Sequence, residues 1–117
     1  MNSGVVTSKN NYLYVLKYLT KTETIRVEEG LGIALQFTAF DVESQYNCHF
    51  NHLVIEDGDV ATYKLCGKTL AGTSSAGTTF VSKSNIVKLH FTTMSTKSGW
   101  SVIWTARKPG DLRNHYP

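Results

Sequence analysis

The chain has 117 residues, of which 41% are hydrophobic and 18% charged, and its formal net charge is +3. This length suits one domain with a single two-layer core and is too short for two such domains. No apolar run approaches the roughly 20 residues of a membrane-spanning helix. The basic residues are scattered singly, which argues against a nucleic-acid-binding surface.

Two N-terminal segments precede the clearly patterned part of the chain. Residues 1–11 are predicted to form an extension outside the folded domain. From Tyr12 to Leu19 apolar residues recur at nearly every position, which suits a helix or a buried strand. The aromatic and β-branched content of this second segment favours a strand.

Strict alternation of apolar and polar residues predicts the strands that follow. Because each set of apolar residues repeats at every second position, one face of each strand should pack on a core. The sets are Ile25 and Val27; Ile33, Leu35 and Phe37; Leu53 and Ile55; Val87, Leu89 and Phe91; and Trp100, Val102 and Trp104. We expect Leu35, Phe37, Leu53, Ile55, Leu89 and Phe91 to be almost fully buried, with both tryptophans in the core.

Turn-forming residues separate these strands and predict an all-β sandwich. The Gly-, Ser- and Thr-rich run from Ala71 to Thr79 is expected to be a surface loop. After Ala106 the pair Pro109-Gly110 ends the last strand, so residues 107–117 are predicted to be a C-terminal tail or a linker.

Cys48 and Cys66 stand at the ends of two predicted strands of a hairpin. A lone pair of cysteines could equally be two buried thiols. Their placement favours a disulfide, because antiparallel neighbours can bring two Cα atoms within bonding reach. Such a bond would stabilise the fold by about 3 kcal/mol and indicates an environment outside the cytosol.

An ordered series of motifs resembles the CUB domain family. The series is Phe40-Asp41-x-Glu43, Cys48-x-Phe50, Ile55-x-Asp57-Gly58, Leu65-Cys66-Gly67 and Ser84-Asn85, followed by Phe91 and Gly99-Trp100. The resemblance covers residues 12–106, which we take as the domain. It implies a CUB-type jelly-roll-like sandwich of two antiparallel sheets. The usual Ser-Pro-x-Tyr-Pro motif and first disulfide are missing, and some first-position CUB domains of complement-type proteases also lack that disulfide.

The resemblance also implies a degraded calcium site. Calcium-binding CUB domains hold the ion with three carboxylates at one end of the sandwich. When the family's motifs are aligned with this sequence, the first carboxylate position is Glu43. The second position falls at Asn51, and the third falls at or beside Met94. Since an amide and a thioether replace two carboxylates, we predict no calcium requirement. Asp41, Asp57 and Asp59 are the unmatched acids that could rebuild the site.

Catalytic and zinc chemistry are weakly supported. His49 and His52 are three residues apart and would face opposite sides of a strand. No Gly-x-Ser-x-Gly motif is present, and the adjacent Glu56 and Asp57 point opposite ways in a strand, unlike a glycosidase pair. The chain is therefore predicted not to be an enzyme.

The resemblance implies an extracellular, non-catalytic module that binds a protein partner as part of a larger secreted or cell-surface protein. Two alternatives remain open: a stand-alone, spermadhesin-like carbohydrate-binding protein, and a structural component of a matrix or egg coat. No signal peptide follows Met1, so for a secreted family we expect an excised domain with an added initiator Met. No cofactor, nucleic acid or membrane insertion is expected, and the oligomeric state is open.

Overall fold

The computed structural model describes residues 3–8, 19–67, 79–94 and 98–108. The predicted strand from Tyr12 to Leu19 and the predicted loop from Ala71 to Thr79 lie outside these residues except for their last positions, since Leu19 begins β2 and Thr79 begins β6. The elements in chain order are β1 (Ser3–Thr7), β2 (Leu19–Arg26), β3 (Gly32–Asp41), α1 (Gln45–Cys48), β4 (His52–Asp57), β5 (Ala61–Leu65), β6 (Thr79–Val81), β7 (Ile86–Thr93) and β8 (Gly99–Arg107).

The strands form two antiparallel four-stranded sheets. Sheet A has the strand order β1-β8-β3-β6, and sheet B has the order β2-β7-β4-β5. Each sheet buries one face against the other, because the inward positions of β3, β4, β7 and β8 are apolar. This arrangement confirms the all-β sandwich.

The buried residues match the predicted core. All six side chains expected to be inaccessible are at most 1% exposed. Trp100 is also buried, and its ring meets Phe37 and Phe91 edge-to-face at centroid distances of 6.4 and 5.9 Å. Trp104 is partly buried and packs against the same cluster. Both tryptophans therefore contribute to the core.

A β-bulge in β3 changes the period of its apolar residues. The register with β8 shifts between Phe37 and Ala39, and Phe40 and Val42 are buried although they fall out of step with Phe37. An extra residue on one strand returns the next side chains to the same face. The bulge at Thr38 therefore keeps β3 on the core over its whole length.

The sandwich begins earlier in the chain than the sequence indicated. Within the stretch 1–11, which sequence reasoning set apart as an extension, β1 pairs with β8 from Ser3 opposite Thr105 to Thr7 opposite Ser101. At Gly4 an added Cβ would lie 2.8 Å from Trp104 Nε1, so the tryptophan ring requires glycine there. β1 is thus an edge strand that shields part of the Trp104 ring.

The sandwich has two ends, each built from connections between strands. The Cys48 end is formed by the β3–β4 connection, which includes α1, together with Asn51, Met94 and Ser98. The Asp57 end is formed by the β4–β5 turn and the β6–β7 turn. β4 runs from one end to the other, since it begins at His52 and finishes at Asp57.

Candidate functional site at the Cys48 end

A disulfide fixes the β3–β4 connection to β5. Asn47 and Cys48 adopt left-handed backbone conformations, with φ of 54° and 66°, and turn the chain out of α1. Cys48 is bonded to Cys66, with a Cα–Cα distance of 5.6 Å. This confirms the predicted disulfide. Beside it, the Val42 N–H donates to the Gly67 carbonyl at 3.0 Å, so the covalent and hydrogen-bonded links reinforce each other.

Asn51 is the central polar residue of this end. Its side chain is buried, and its Oδ1 accepts hydrogen bonds from the Thr93 hydroxyl at 2.6 Å and the Met94 N–H at 2.8 Å. Asn51 therefore joins the start of β4 to the end of β7. The alignment with the family's calcium-site positions predicts that Asn51 and Met94 lie at one site. The hydrogen bond between them shows that they are in contact.

Glu43 and Asp41 lie at the same end. The Glu43 N–H donates to Ser98 Oγ at 3.0 Å, and Ser98 is buried. Asp41 is the last residue of β3, is exposed, and stands opposite Gly99 of β8. Asp41 belongs by its pairing to the outer face of sheet A, whereas Asn51 faces the interior.

The other two acidic candidates are at the opposite end. Asp57 is buried, and its two carboxylate oxygens accept the Lys83 and Ser84 N–H groups, each at 2.9 Å. The six residues of β4 separate it from the Cys48 end by roughly 17 Å. Asp57 and the neighbouring Asp59 therefore cannot share a metal ion with Glu43.

The donor set around Asn51 does not fit a calcium ion. Calcium takes 6–8 oxygen ligands, and its affinity increases with the number of carboxylates. A cation bound to Asn51 Oδ1 would displace the Thr93 hydroxyl and the Met94 N–H, both of which need an acceptor. The Met94 thioether is a poor ligand for a hard cation.

The histidines make other contacts. His52 Nδ1–H donates to the Cys48 carbonyl at 2.8 Å, and the His49 ring packs edge-on to Phe50 at 4.6 Å. His90 lies on the outer face of sheet B, with Nε2 3.1 Å from Glu56 Oε1. Within the described ranges, no group of three or more His, Cys, Asp or Glu side chains is arranged to hold a metal ion.

Sequence reasoning missed two buried serine hydroxyls that accept backbone N–H groups of sheet A strands. Ser82 Oγ accepts the Ile33 N–H and donates to the Ser84 carbonyl, each at 2.8 Å. Ser8 Oγ accepts the Trp100 N–H at 3.0 Å. Nothing in a single sequence separates these serines from exposed ones, because their partners lie 49 and 92 positions away.

A comparison with protein families decides the identity of this fold. The family model described as CUB domain matches residues 3–104. The chain belongs to the CUB domain family. The solved CUB1-EGF-CUB2 region of human MASP-1/3 superposes with a TM-score of 0.70 at 20% identity, over 97% of this chain and 44% of that one. This similarity independently supports the CUB fold.

Curated relatives are large proteins of which the chain spans a small part. It is 31% identical over 87 residues to a Cubilin homolog of Drosophila melanogaster, covering 73% of this chain and 2% of that protein. It is 40% identical over 50 residues to a Calcium-dependent serine proteinase of Mesocricetus auratus, covering 43% of this chain and 7% of that protein. None of the helices in the described part of the chain has the length and apolar character of a membrane span.

Proposed function

We propose that this CUB domain is an extracellular, non-catalytic module that binds a protein partner without calcium. Membership of the CUB family supports the role of a binding module. The Cys48–Cys66 disulfide supports a location outside the cytosol, where such bonds persist. The small share of each relative that the chain covers supports the proposal of a larger protein around the module.

The hydrogen bonds of Asn51 carry the calcium-independent part of the proposal. Its Oδ1 already accepts two donors of the protein itself. Met94 adjoins it and is 46% exposed, so this end offers an adaptable apolar side chain to a partner. Partner recognition at this end would therefore use direct side-chain contacts, without carboxylates tethered to an ion.

The test begins with the metal-free domain and calcium chloride in an isothermal titration. We expect no saturable heat, and a dissociation constant in the low micromolar range would contradict calcium independence. The immobilised domain is then exposed to extracellular fluid of its source organism, with and without a chelator, and a recovered protein is purified and measured against it by calorimetry.

We expect the affinity for that protein to be the same with chelator as with calcium. The variant Met94→Lys should weaken binding, because it places a charge in the apolar contact. The matched control is Val60→Lys, since Val60 is 56% exposed in the β4–β5 turn at the opposite end. Equal losses from both variants would place the contact elsewhere.

A second candidate is carbohydrate binding at the exposed edge formed by β5. Tyr63 is 43% exposed, and its ring is supported edge-on by Phe80 at a centroid distance of 5.2 Å. Thr62 and Lys64 are exposed and polar, but they point to the other face of β5, because Tyr63 lies opposite the buried Ile55. The exposed part of the Tyr63 ring itself offers an apolar body with a polar hydroxyl, a combination that suits a sugar contact. A glycan array should then show selective binding that Tyr63→Ala abolishes, and binding unaffected by this change would exclude the site.

A further inference from the structure

The outer faces of the two sheets differ in charge. Residues opposite each other in a ladder share a face, and Val5, Ile103, Gln36 and Thr79 thus form one row across all four strands of sheet A. We call the outward-facing side chains of sheet A the Ile103 face. Its charged residues among the described positions are Asp41 at one end and Arg107 at the other, with uncharged residues between them.

Sheet B shows what an ordinary solvated face looks like in this protein. Lys88, Glu56 and Lys64 project outward from its three neighbouring strands β7, β4 and β5. The centre of the Ile103 face instead carries two adjacent exposed aliphatic side chains, Val5 at 66% and Ile103 at 41% exposure. Contiguous exposed apolar residues rimmed by polar ones are typical of interaction surfaces.

The charged residues at the two ends of the Ile103 face are available for a partner. Neither Asp41 nor Arg107 takes part in an ion pair within the described residues. Arg107 Nε is buried and has no hydrogen-bond partner there, although a buried donor needs an acceptor. Arg107 also lines a groove of about 280 Å³ next to Ile103. A carboxylate of a partner would meet the Arg107 side chain in this groove, since Nε itself is buried.

The position of Ile103 gives this face an internal symmetry. β8 runs from Gly99 to Arg107, and Ile103 is its midpoint. Asp41 is paired with Gly99, so the negative and positive charges lie on opposite sides of Ile103 at similar distances along the strand direction. Suppose that a second copy is related to the first by a twofold axis that runs along the row of Val5 and Ile103. The strands of the second copy then run in the opposite direction, and its Arg107 end lies over the Asp41 end of the first copy.

We propose that the Ile103 faces of two copies of this chain pack on each other about that twofold axis. Ile103 then meets its own counterpart at the centre, and the Arg107 of each copy pairs with the Asp41 of the other. The alternative with parallel strands would place the two Arg107 side chains together, which like-charge repulsion disfavours. Aligned packing of two sheets is a common arrangement.

The size of the face predicts a weak dimer. About a dozen side chains per copy are available, compared with 20–30 per partner in a standard interface. We therefore expect association that depends on protein concentration and weakens with added salt. This self-association goes beyond the partner binding proposed above, and its test needs only the protein itself.

Sedimentation equilibrium over a range from low micromolar to millimolar concentration tests the proposal. The average mass of the wild-type chain should rise from 13.0 kDa toward twice that value. The variant Ile103→Lys should remain monomeric, because it places two ammonium groups at the axis. The matched control Val60→Lys should dimerise like the wild type, and unchanged melting temperatures should show that both variants are folded.

A charge exchange tests the orientation. Arg107→Glu should weaken the dimer at least roughly tenfold, since each of two ion pairs becomes a repulsion. Adding Asp41→Arg to that variant should restore the affinity to within about threefold of wild type. A wild-type chain that stays monomeric, an Ile103→Lys variant that dimerises normally, or a charge exchange that restores nothing would each overturn the proposal.

Discussion

Leu89 lies on the central strand β7 of sheet B and is fully buried between β2 and β4. Truncating it removes methyl groups from a closely packed interior and leaves a cavity. We expect Leu89→Ala to lower the free energy of unfolding by about 2–5 kcal/mol in urea denaturation. The exposed Val60→Ala should change it by less than about 0.5 kcal/mol. A loss for Leu89→Ala below about 1 kcal/mol would contradict tight packing at this position.

Asp57 and Asp59 provide a matched pair of carboxylates in very different settings. Asp57 is buried and accepts two backbone N–H groups of the β6–β7 turn, whereas Asp59 is exposed. Asp57→Ala leaves both donors without an acceptor, so we expect a loss of at least about 2 kcal/mol of unfolding free energy. Asp59→Ala should stay within about 0.5 kcal/mol of wild type. Similar losses in both variants would show that the turn is not held by Asp57.

The disulfide links α1 to the residue that follows β5. The two cysteines are separated by 18 positions, and closing such a loop restricts the unfolded chain. Replacing both by serine should therefore lower the unfolding free energy by about 3 kcal/mol, measured in urea. Alkylation of the native protein followed by mass measurement should label no thiol. Two labelled cysteines in folded protein would contradict the bond.

The sequence predicts a strand correctly where its apolar residues alternate regularly with polar ones. It fails where pairing with a distant strand decides which residues face the core. The alternation in β4, β7 and β8 placed the buried residues correctly, because each has one apolar face. β1 escaped prediction, since Val5 and Val6 are adjacent and their faces are decided by pairing with β8. In β3 the spacing of the buried residues changes at the bulge opposite Ser101. The residues around Thr38 give no local sign of this bulge in the sequence.

The site shows the same division between local and distant information. The family resemblance placed Asn51 and Met94 together, and the positions of the two cysteines at the ends of predicted hairpin strands located the disulfide. It could not show that the Asn51 amide oxygen is occupied by Thr93, because that contact joins residues 42 positions apart. Nor could it show that Asp57 lies at the other end of the sandwich, which follows from the direction of β4.

Calcium should affect neither the stability nor the folding of the domain. A chelator is expected to leave the melting temperature unchanged, because under the proposed calcium independence no calcium-bound state contributes to stability. The double variant Asn51→Asp with Met94→Asp adds two carboxylates beside Glu43 and should create calcium binding that calorimetry detects. Its control is Asp57→Asn with Asp59→Asn at the opposite end, which should bind none. No binding by the double variant would show that Met94 does not correspond to the third carboxylate position.

The pairing of β1 with β8 has a consequence for how this module is displayed. Ser3 lies opposite Thr105, and Arg107 lies opposite Gly32, so the first and last strands enter and leave at the Asp57 end. A tether attached through either terminus would therefore hold the molecule by the same pole. The Cys48 end would point away from the anchoring surface in both cases. The β3–β4 connection, which the disulfide holds in place, would then be the part of the domain farthest from that surface.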